Sequence, residues 1–362
     1  MSSPPYIDQY YEEALALLSR LIEMPSMSGE EEGTAAIIEA FFEEKEIPYQ
    51  RQGNNIWAKN KAFDSAKPSV LLNSHHDTVK PNSGYTKNPF EAIIEDEKLY
   101  GLGSNDAGGC LVSLILTFIH FYEKENLPYN LIMAATAEEE NSGKNGVESI
   151  LNQVKPIEFG MVGEPTEMSM AVAEKGLMVL DCSAKGESGH AARDVGMNAI
   201  YEAIPDIEWF KNFQFEKESE YLGPIKMTVT MINAGYQHNV IPDTCDFVVD
   251  IRTTDAYSNE QVFEIVKSNI KSEVKARSFR LNSSQLPDHL AVAKAADKLA
   301  IQKFGSPTCS DQAVMDFPTF KMGPGKSERS HTADEFIYLS ELKEGIRGYI
   351  KLLEELFNIK SQ

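Results

Sequence analysis

Five short segments carry the residue types from which a two-metal hydrolytic centre is built: His75-His76-Asp77, Gly101-Leu102-Gly103-Ser104-Asn105-Asp106, Glu138-Glu139-Glu140, Gly163-Glu164-Pro165-Thr166 and Ser330-His331-Thr332. Together they offer imidazoles and a surplus of carboxylates. Zinc accepts that mixture of nitrogen and oxygen ligands, and paired ions act as a clamp on a reacting oxygen. Each segment alone has an ordinary reading: an acidic loop, a helix cap, a surface histidine. Their combination, mostly at the ends of apolar runs, implies one site.

His75 and Asp77 follow Val70-Leu71-Leu72 and lie two apart, on one face of an extended backbone. Asp77 is therefore placed to accept from the imidazole nitrogen that does not bind metal. His76 points the other way and is expected to be structural. Asp106 follows a Gly-Leu-Gly turn that lets the backbone bend sharply, and precedes a long helix, where the alternative role is an N-cap. The third glycine of a dinucleotide fingerprint is missing. Glu138-Glu139-Glu140 closes an apolar run, and open α/β sheets bind ligands beyond such strand ends. One of these carboxylates could hold metal while another acts as a base; spacing leaves open which. Glu164 ends a further apolar run, and His331, in the polar loop from Gly323, supplies the second imidazole.

The elements that must position these residues are legible from periodicity. Tyr10–Met24 has helical apolar spacing, and Ser28-x-x-Glu31 reads as a capping box opening a helix through about Glu44. Buried strands are expected at Ser69–Leu72, Leu131–Ala135 and Phe159–Val162, with a helix over Cys110–Glu125. Alternating strands and helices predict an α/β domain with a mostly parallel sheet. From about Lys175 the order changes to strand (Leu177–Ala184), helix (Asn198–Asn212), strands (Lys226–Asn233, Thr244–Arg252) and helix (Asn259–Ser272), a small α+β unit. Long helices are expected again at Asp288–Phe304 and Leu339–Phe357. We therefore expect residues 175–284 to be inserted into a discontinuous domain of residues 1–174 and 285–362, so that His331 returns to His75.

With 42% apolar and 25% charged residues the chain has a globular composition. A formal charge of −21 argues against nucleic acid or anionic membranes as partners. The apolar run Leu111–Phe121 is shorter than the roughly 20 residues of a membrane span. Met-Ser-Ser-Pro-Pro-Tyr has neither the basic nor the apolar region of an export signal, and a cytoplasmic protein is expected. Cys110, Cys182, Cys245 and Cys309 form no Cys-x-x-Cys pair, so disulfides and thiolate zinc sites are not expected.

On these segments the chain resembles the di-zinc amidohydrolases that include acetylornithine deacetylase, succinyl-diaminopimelate desuccinylase, aminoacylase and glutamate carboxypeptidase. Residues 74–79 match its His-x-Asp motif and 101–106 its Gly-x-Gly-x-x-Asp; 135–140 match the strand into its paired glutamates, with Gly-Glu-Pro-Thr and His331 completing the set. The resemblance implies two Zn2+, for which Co2+ or Mn2+ could substitute. His75 and Glu164 would bind one ion, Glu140 and His331 the other, and Asp106 would bridge. Glu139 would be the general base and Asp77 the orienting carboxylate. It implies a zinc-exopeptidase-like fold, a mixed, mostly parallel sheet with helices on both faces, whose inserted domain is a lid that mediates homodimerisation. His190, in Gly186-Glu187-Ser188-Gly189-His190, matches the lid histidine that helps stabilise the oxyanion in the partner's site. Two departures, Leu102 where the family often has Arg and Gly108 where it has Lys, bear on the subfamily and lie outside the metal set.

The implied reaction is hydrolysis of an N-acyl-L-amino acid, with N-acetyl-L-ornithine in arginine biosynthesis the expected substrate. Arg252, Asn239, Lys175 and Lys326 are candidates to bind it. Alternatives are acetylcitrulline, acetyl-lysine, succinyl-diaminopimelate, or a di- or tripeptide. A non-catalytic zinc protein would have no need for Glu139 beside its ligands, and a phosphoesterase would want more cationic groups near the metals.

Overall fold

The computed structural model describes residues 4–193 and 195–360. The chain forms two compact units. The larger comprises the chain up to Val172, Gln285–Phe304 and the chain from Ser310; the smaller comprises Ala173–Ser284 and Gly305–Cys309.

In the larger unit the sheet runs Tyr49–Gln52, Asn55–Lys59, Asn130–Thr136, Ser69–His75, Phe159–Val162, Thr319–Lys321. The first two strands pair antiparallel; the four that follow are parallel to one another. Every residue of Ser69–His75 and Asn130–Thr136 is buried, which is why Val70–Leu72 and Leu131–Ala135 within them read as unbroken apolar runs. Alternate residues face opposite sides. Leu71, Ile132 and Ala134 pack with Val147, Ile150, Leu151 and Val154 of the helix Val147–Val154. On the other side, a side chain at Gly163 would meet Leu114, Ser74 and Cys110, so the helix Gly109–Tyr122 covers that face at van der Waals distance. The fold is thus α/β with helices on both faces of a mostly parallel sheet.

The smaller unit is a four-stranded antiparallel sheet in the order Lys226–Ala234, Thr244–Thr253, Gly176–Lys185, Glu273–Ala276. Met178, Leu180, Cys182 and Ala184 alternate onto one face and pack with Ala199, Ala203, Phe210, Val262 and Val266 of the helices Ala199–Asn212 and Asn259–Asn269. Strand Lys226–Ala234 lies at the sheet edge with most of its residues exposed.

Three expected elements differ. The helix expected over Asp288–Phe304 spans only Ala291–Lys298, and Lys303–Ser306 is a strand. Ala300 takes a positive φ of 53° and the Ile301 N–H returns to Ala296, a helix-closing turn made without the glycine that would have announced it. The helix expected over Asn259–Ser272 ends at Asn269, and Glu273–Ala276 becomes the fourth strand of the sheet. Ser28 and Glu31 do not form a capping box: the helix starts at Glu32 with no side-chain cap, and both residues bond elsewhere. Among the described residues, no helix is long and apolar enough to cross a membrane.

Candidate metal centre

Three adjacent parallel strands deliver their carboxyl ends to one place. His75 is the last residue of its strand and pairs with Thr136, the last of the neighbouring one; Glu138-Glu139-Glu140 follows. Glu164 lies just past Phe159–Val162 on the other side. Two loops complete the arrangement. Asp106 has extended dihedrals (φ −121°, ψ 97°) ahead of the helix Gly109–Tyr122, whose N-cap is Gly108, so Asp106 is free of the capping role. His331 follows the short turn Ser327–Arg329 and adopts a φ of 59°.

The two oxygens of Asp106 face different imidazoles. Oδ1 stands 3.4 Å from His75 Nε2, and Oδ2 stands 3.7 Å from His331 Nε2. His75 Nε2 also has Glu164 Oε1 at 3.8 Å, and His331 Nε2 has Glu140 Oε2 at 2.9 Å. By mutual distance alone, His75 groups with Asp106 and Glu140, and again with Glu139 and Glu164, each set offering ligand atoms within 4.8 Å of one another. Distance therefore makes His75 common to both sets; the aim of the Asp106 oxygens instead divides the site between two imidazoles. The Asp106 carboxylate thus presents one oxygen toward each imidazole.

Asp77 fixes the His75 imidazole. His75 Nδ1 lies 3.0 Å from the Asp77 carbonyl and 3.3 Å from its carboxylate. A proton on Nδ1 leaves the Nε2 lone pair facing Asp106 and Glu164. Asp77 is itself held by the Glu139 and Glu140 N–H groups, both at 3.1 Å, and by the Ser28 hydroxyl at 2.7 Å. His76 is structural, as expected: buried, bonded to Thr34 at 2.8 Å and to the Asn54 carbonyl at 2.9 Å.

The donors fit divalent metal. His75 Nε2 is buried yet has no hydrogen-bond partner, an expensive state for a polar atom unless a ligand satisfies it. Two ligands each about 2 Å from a tetrahedral ion stand about 3.3–3.5 Å apart, close to the spacing of Nε2 and the Asp106 oxygen.

The electrostatics describe the same concentration of negative charge. Burial disfavours charge on His75, but the nearby carboxylates of Asp106 and Asp77 and the charge of Glu139 raise its pKa well above the usual value. The bond to Glu140 lifts His331 to about 9. Burial also works against charge on Asp106, and His75, Ser330 and His331 outweigh it to hold its pKa down. Glu139 is pushed well up by burial, with His75 opposing and Glu164, Asp311 and Glu140 reinforcing.

Of the substrate candidates, only Lys326 belongs to the larger unit, where its backbone bonds to both ends of the Asn105 amide (2.9 and 3.1 Å) and its ammonium stands 3.8 Å from Glu167. His190, Asn239, Arg252 and Lys175 belong to the smaller unit. There His190 is exposed and pairs with Val240, and the buried Asn239 Oδ1 has no hydrogen-bond partner. Arg252 is turned back onto Asp250 at 2.9 Å. Burial, then the charges of Lys226 and Arg252, lower the pKa of Lys175.

Sequence reasoning missed the carboxylates behind the site. Glu335 is 2% exposed and accepts the N–H groups of Gly103, Asn105 and Asp106; burial, then the charge of Asp106, raises it to about 8. Asp311, raised to about 6 by burial, accepts from Asn73 at 2.8 Å and Thr136 at 2.9 Å, on the two strands that end at the site. Glu31 accepts the Glu138 N–H. No local pattern marks Glu335 or Asp311, and the capping-box spacing at Glu31 points to a different role, because their partners are far away in sequence.

An open parallel sheet with imidazoles and carboxylates gathered at its carboxyl edge defines an α/β metallohydrolase. The chain belongs to peptidase family M20/M25/M40, whose profile matches residues 71–355. It is a hydrolytic enzyme of that metal-dependent class. An acetylornithine deacetylase of Pectobacterium carotovorum is 29% identical over 297 residues, 75% of this chain and 76% of the relative. The fold matches that of the aminopeptidase PepT of Bacillus cereus, with a TM-score of 0.76 at 18% identity over 96% of this chain and 98% of that one. It also matches a dinuclear metal-binding peptidase of the M20 family from Bacillus subtilis, with a TM-score of 0.74 at 18% identity and the same coverage of 96% and 98%.

Proposed function

We propose that the protein hydrolyses the amide bond of an N-acyl-L-amino acid, with N-acetyl-L-ornithine as substrate and acetate and ornithine as products. The observation that carries the chemistry is the Asp106 carboxylate facing two imidazoles, with the neighbouring Glu139 left outside those contacts. Relatives named acetylornithine deacetylase, at 27–29% identity, support the substrate. That activity would belong to cytoplasmic arginine biosynthesis.

In this reading His75 and Glu164 would hold one divalent ion and His331 and Glu140 the other, with Asp106 contributing to the pair; zinc is the proposed metal. When bound, such a pair supplies Lewis acidity to the attacking water and the acyl carbonyl. Glu139 takes the proton from the attacking water and delivers it to the leaving amine, as its backbone anchorage to Asp77 keeps the side chain beside the ligands. Asp77 orients His75. His190 donates to the developing oxyanion, and Arg252, Asn239, Lys175 and Lys326 are the candidate contacts to the substrate's carboxylate and side chain.

We also propose a homodimer through the smaller unit. Its edge strand carries Met231 and Ile232, 55% and 53% exposed, and the nearby loop carries Tyr236 at 81%. An apolar, unpaired sheet edge is a template for pairing with another chain.

The test is amine release by the zinc-loaded protein from N-acetyl-L-ornithine, N-acetyl-L-citrulline, N-acetyl-L-lysine, N-succinyl-diaminopimelate and a tripeptide, side by side. A higher kcat/KM for N-acetyl-L-ornithine is the expected result; preference for another acyl amino acid or the tripeptide replaces the substrate assignment.

A further inference from the structure

We propose that Glu335 is a positioning residue that fixes Asp106 between His75 and His331 and thereby sets the affinity of the centre for its second metal ion. The inference rests on the reading of these residues as a two-metal site.

Four contacts of Glu335 converge on one loop. Its Oε1 accepts the Asn105 and Asp106 N–H groups, both at 2.9 Å, and its Oε2 accepts the Gly103 N–H at 3.1 Å. Its own carbonyl accepts the Gly101 N–H at 3.0 Å. A single buried carboxylate therefore ties down the backbone from Gly101 to Asp106, a stretch outside regular helix geometry at Asp106 itself. The backbone bonds Ser104 N–H to Gly101 and Gly108 N–H to Gly103, and the Asn105 amide bonded to Lys326, hold the rest of the stretch, but the Asn105 and Asp106 N–H groups go to Glu335.

Glu335 also lies four residues after His331, and the intervening chain is anchored at both ends. Asp334 accepts the N–H groups of Thr86 and Lys87 at 2.8 and 2.9 Å, and Phe336–Tyr338 pairs with Lys98–Tyr100. The Asn82 amide donates to the His331 carbonyl at 3.2 Å. The loop that presents His331 and the loop that presents Asp106 are thus joined through Glu335. That join maintains the 3.7 Å separation between the His331 imidazole and the Asp106 carboxylate. Outer groups that orient ligands in this way typically govern metal affinity by about 10–100-fold.

The test compares wild type with Glu335→Gln and Glu335→Ala. Each metal-stripped protein is titrated with Zn2+ by calorimetry and with Co2+ by visible absorption, and amide exchange of residues 101–108 is followed without metal. Glutamine retains one acceptor but presents an amide N–H toward Gly103, so its loss should be partial. The expected result is two ions in wild type, a second ion bound about 10–100-fold more weakly in Glu335→Ala and less so in Glu335→Gln, an altered Co2+ spectrum, and faster exchange at 101–108. Wild-type affinity, spectrum and exchange in Glu335→Gln would overturn the proposal even if Glu335→Ala failed to fold. Failure of the wild type to take two ions would instead overturn the two-metal reading on which it rests.

Discussion

The two units place their candidate residues in opposite ways. In the larger unit His75 is 1% exposed and its neighbours are locked by buried carboxylates, with Asp77, Glu335 and Asp311 each accepting several donors. In the smaller unit His190 is exposed, Asn239 carries an unpartnered oxygen and Arg252 folds back on its own strand. The first arrangement keeps its geometry before any ligand arrives. The second leaves an exposed imidazole at His190 and an unpartnered acceptor at Asn239, with Arg252 paired to Asp250. Preorganisation suits metal binding and proton transfer, where a small displacement is costly; polar groups not locked into a network suit contacts made only when substrate is present.

That contrast can be broken by separating metal content from turnover. Glu139→Gln should lower kcat by about 10²–10⁴-fold while metal analysis still finds wild-type content; near-normal turnover would remove Glu139 from its role. His190→Ala should lower kcat by about 10²-fold, also with metal content unchanged. If His190→Ala loses metal instead, the division between the units is wrong. His331→Ala should weaken metal binding with little change in the metal-free melting temperature, because the side chain is 55% exposed and supports no core. Met231→Asp should shift the protein toward monomer in analytical ultracentrifugation, as a charge at an exposed edge strand opposes pairing.

The smallest effect concerns acid stability and belongs to the larger unit. Burial, then the charge of Lys124, lowers His120 to about 4, and its ring packs on Tyr6 and Tyr10. An unfolded histidine titrates near 6.5, so between those values the unfolded chain binds more protons than the folded one. Stability from this group is present above about 6.5 and is lost as pH falls toward 4. His120→Gln should flatten that part of the denaturation midpoint against pH, and an unchanged slope would assign the acid sensitivity elsewhere.

Legibility in the sequence followed the range of the interactions. The strands Ser69–His75 and Asn130–Thr136 were readable from the apolar runs Val70–Leu72 and Leu131–Ala135 that burial on both faces writes into them. The segments holding His75, Asp106, Glu138-Glu139-Glu140, Glu164 and His331 were readable because metal chemistry restricts residue type, while the division of roles among the three glutamates came only from the resemblance. The end of the helix Ala291–Lys298 was not readable, since a helix-closing alanine at positive φ leaves no compositional mark. Ser28 and Glu31 carried a capping-box spacing but were drawn to Asp77 and Glu138 by distant partners.

The sequence by itself therefore determined the class of chemistry and the α/β frame, because residue type and hydrophobic period are local properties. Tertiary structure decided what each polar residue does. Only the pairing of parallel strands brings His75, Glu139 and Glu164 to one edge, and only the return of the chain after Ser310 adds His331. The roles of Glu335 and Asp311 were decided there too, because a buried carboxylate acquires its function from the donors that surround it, and those come from other segments.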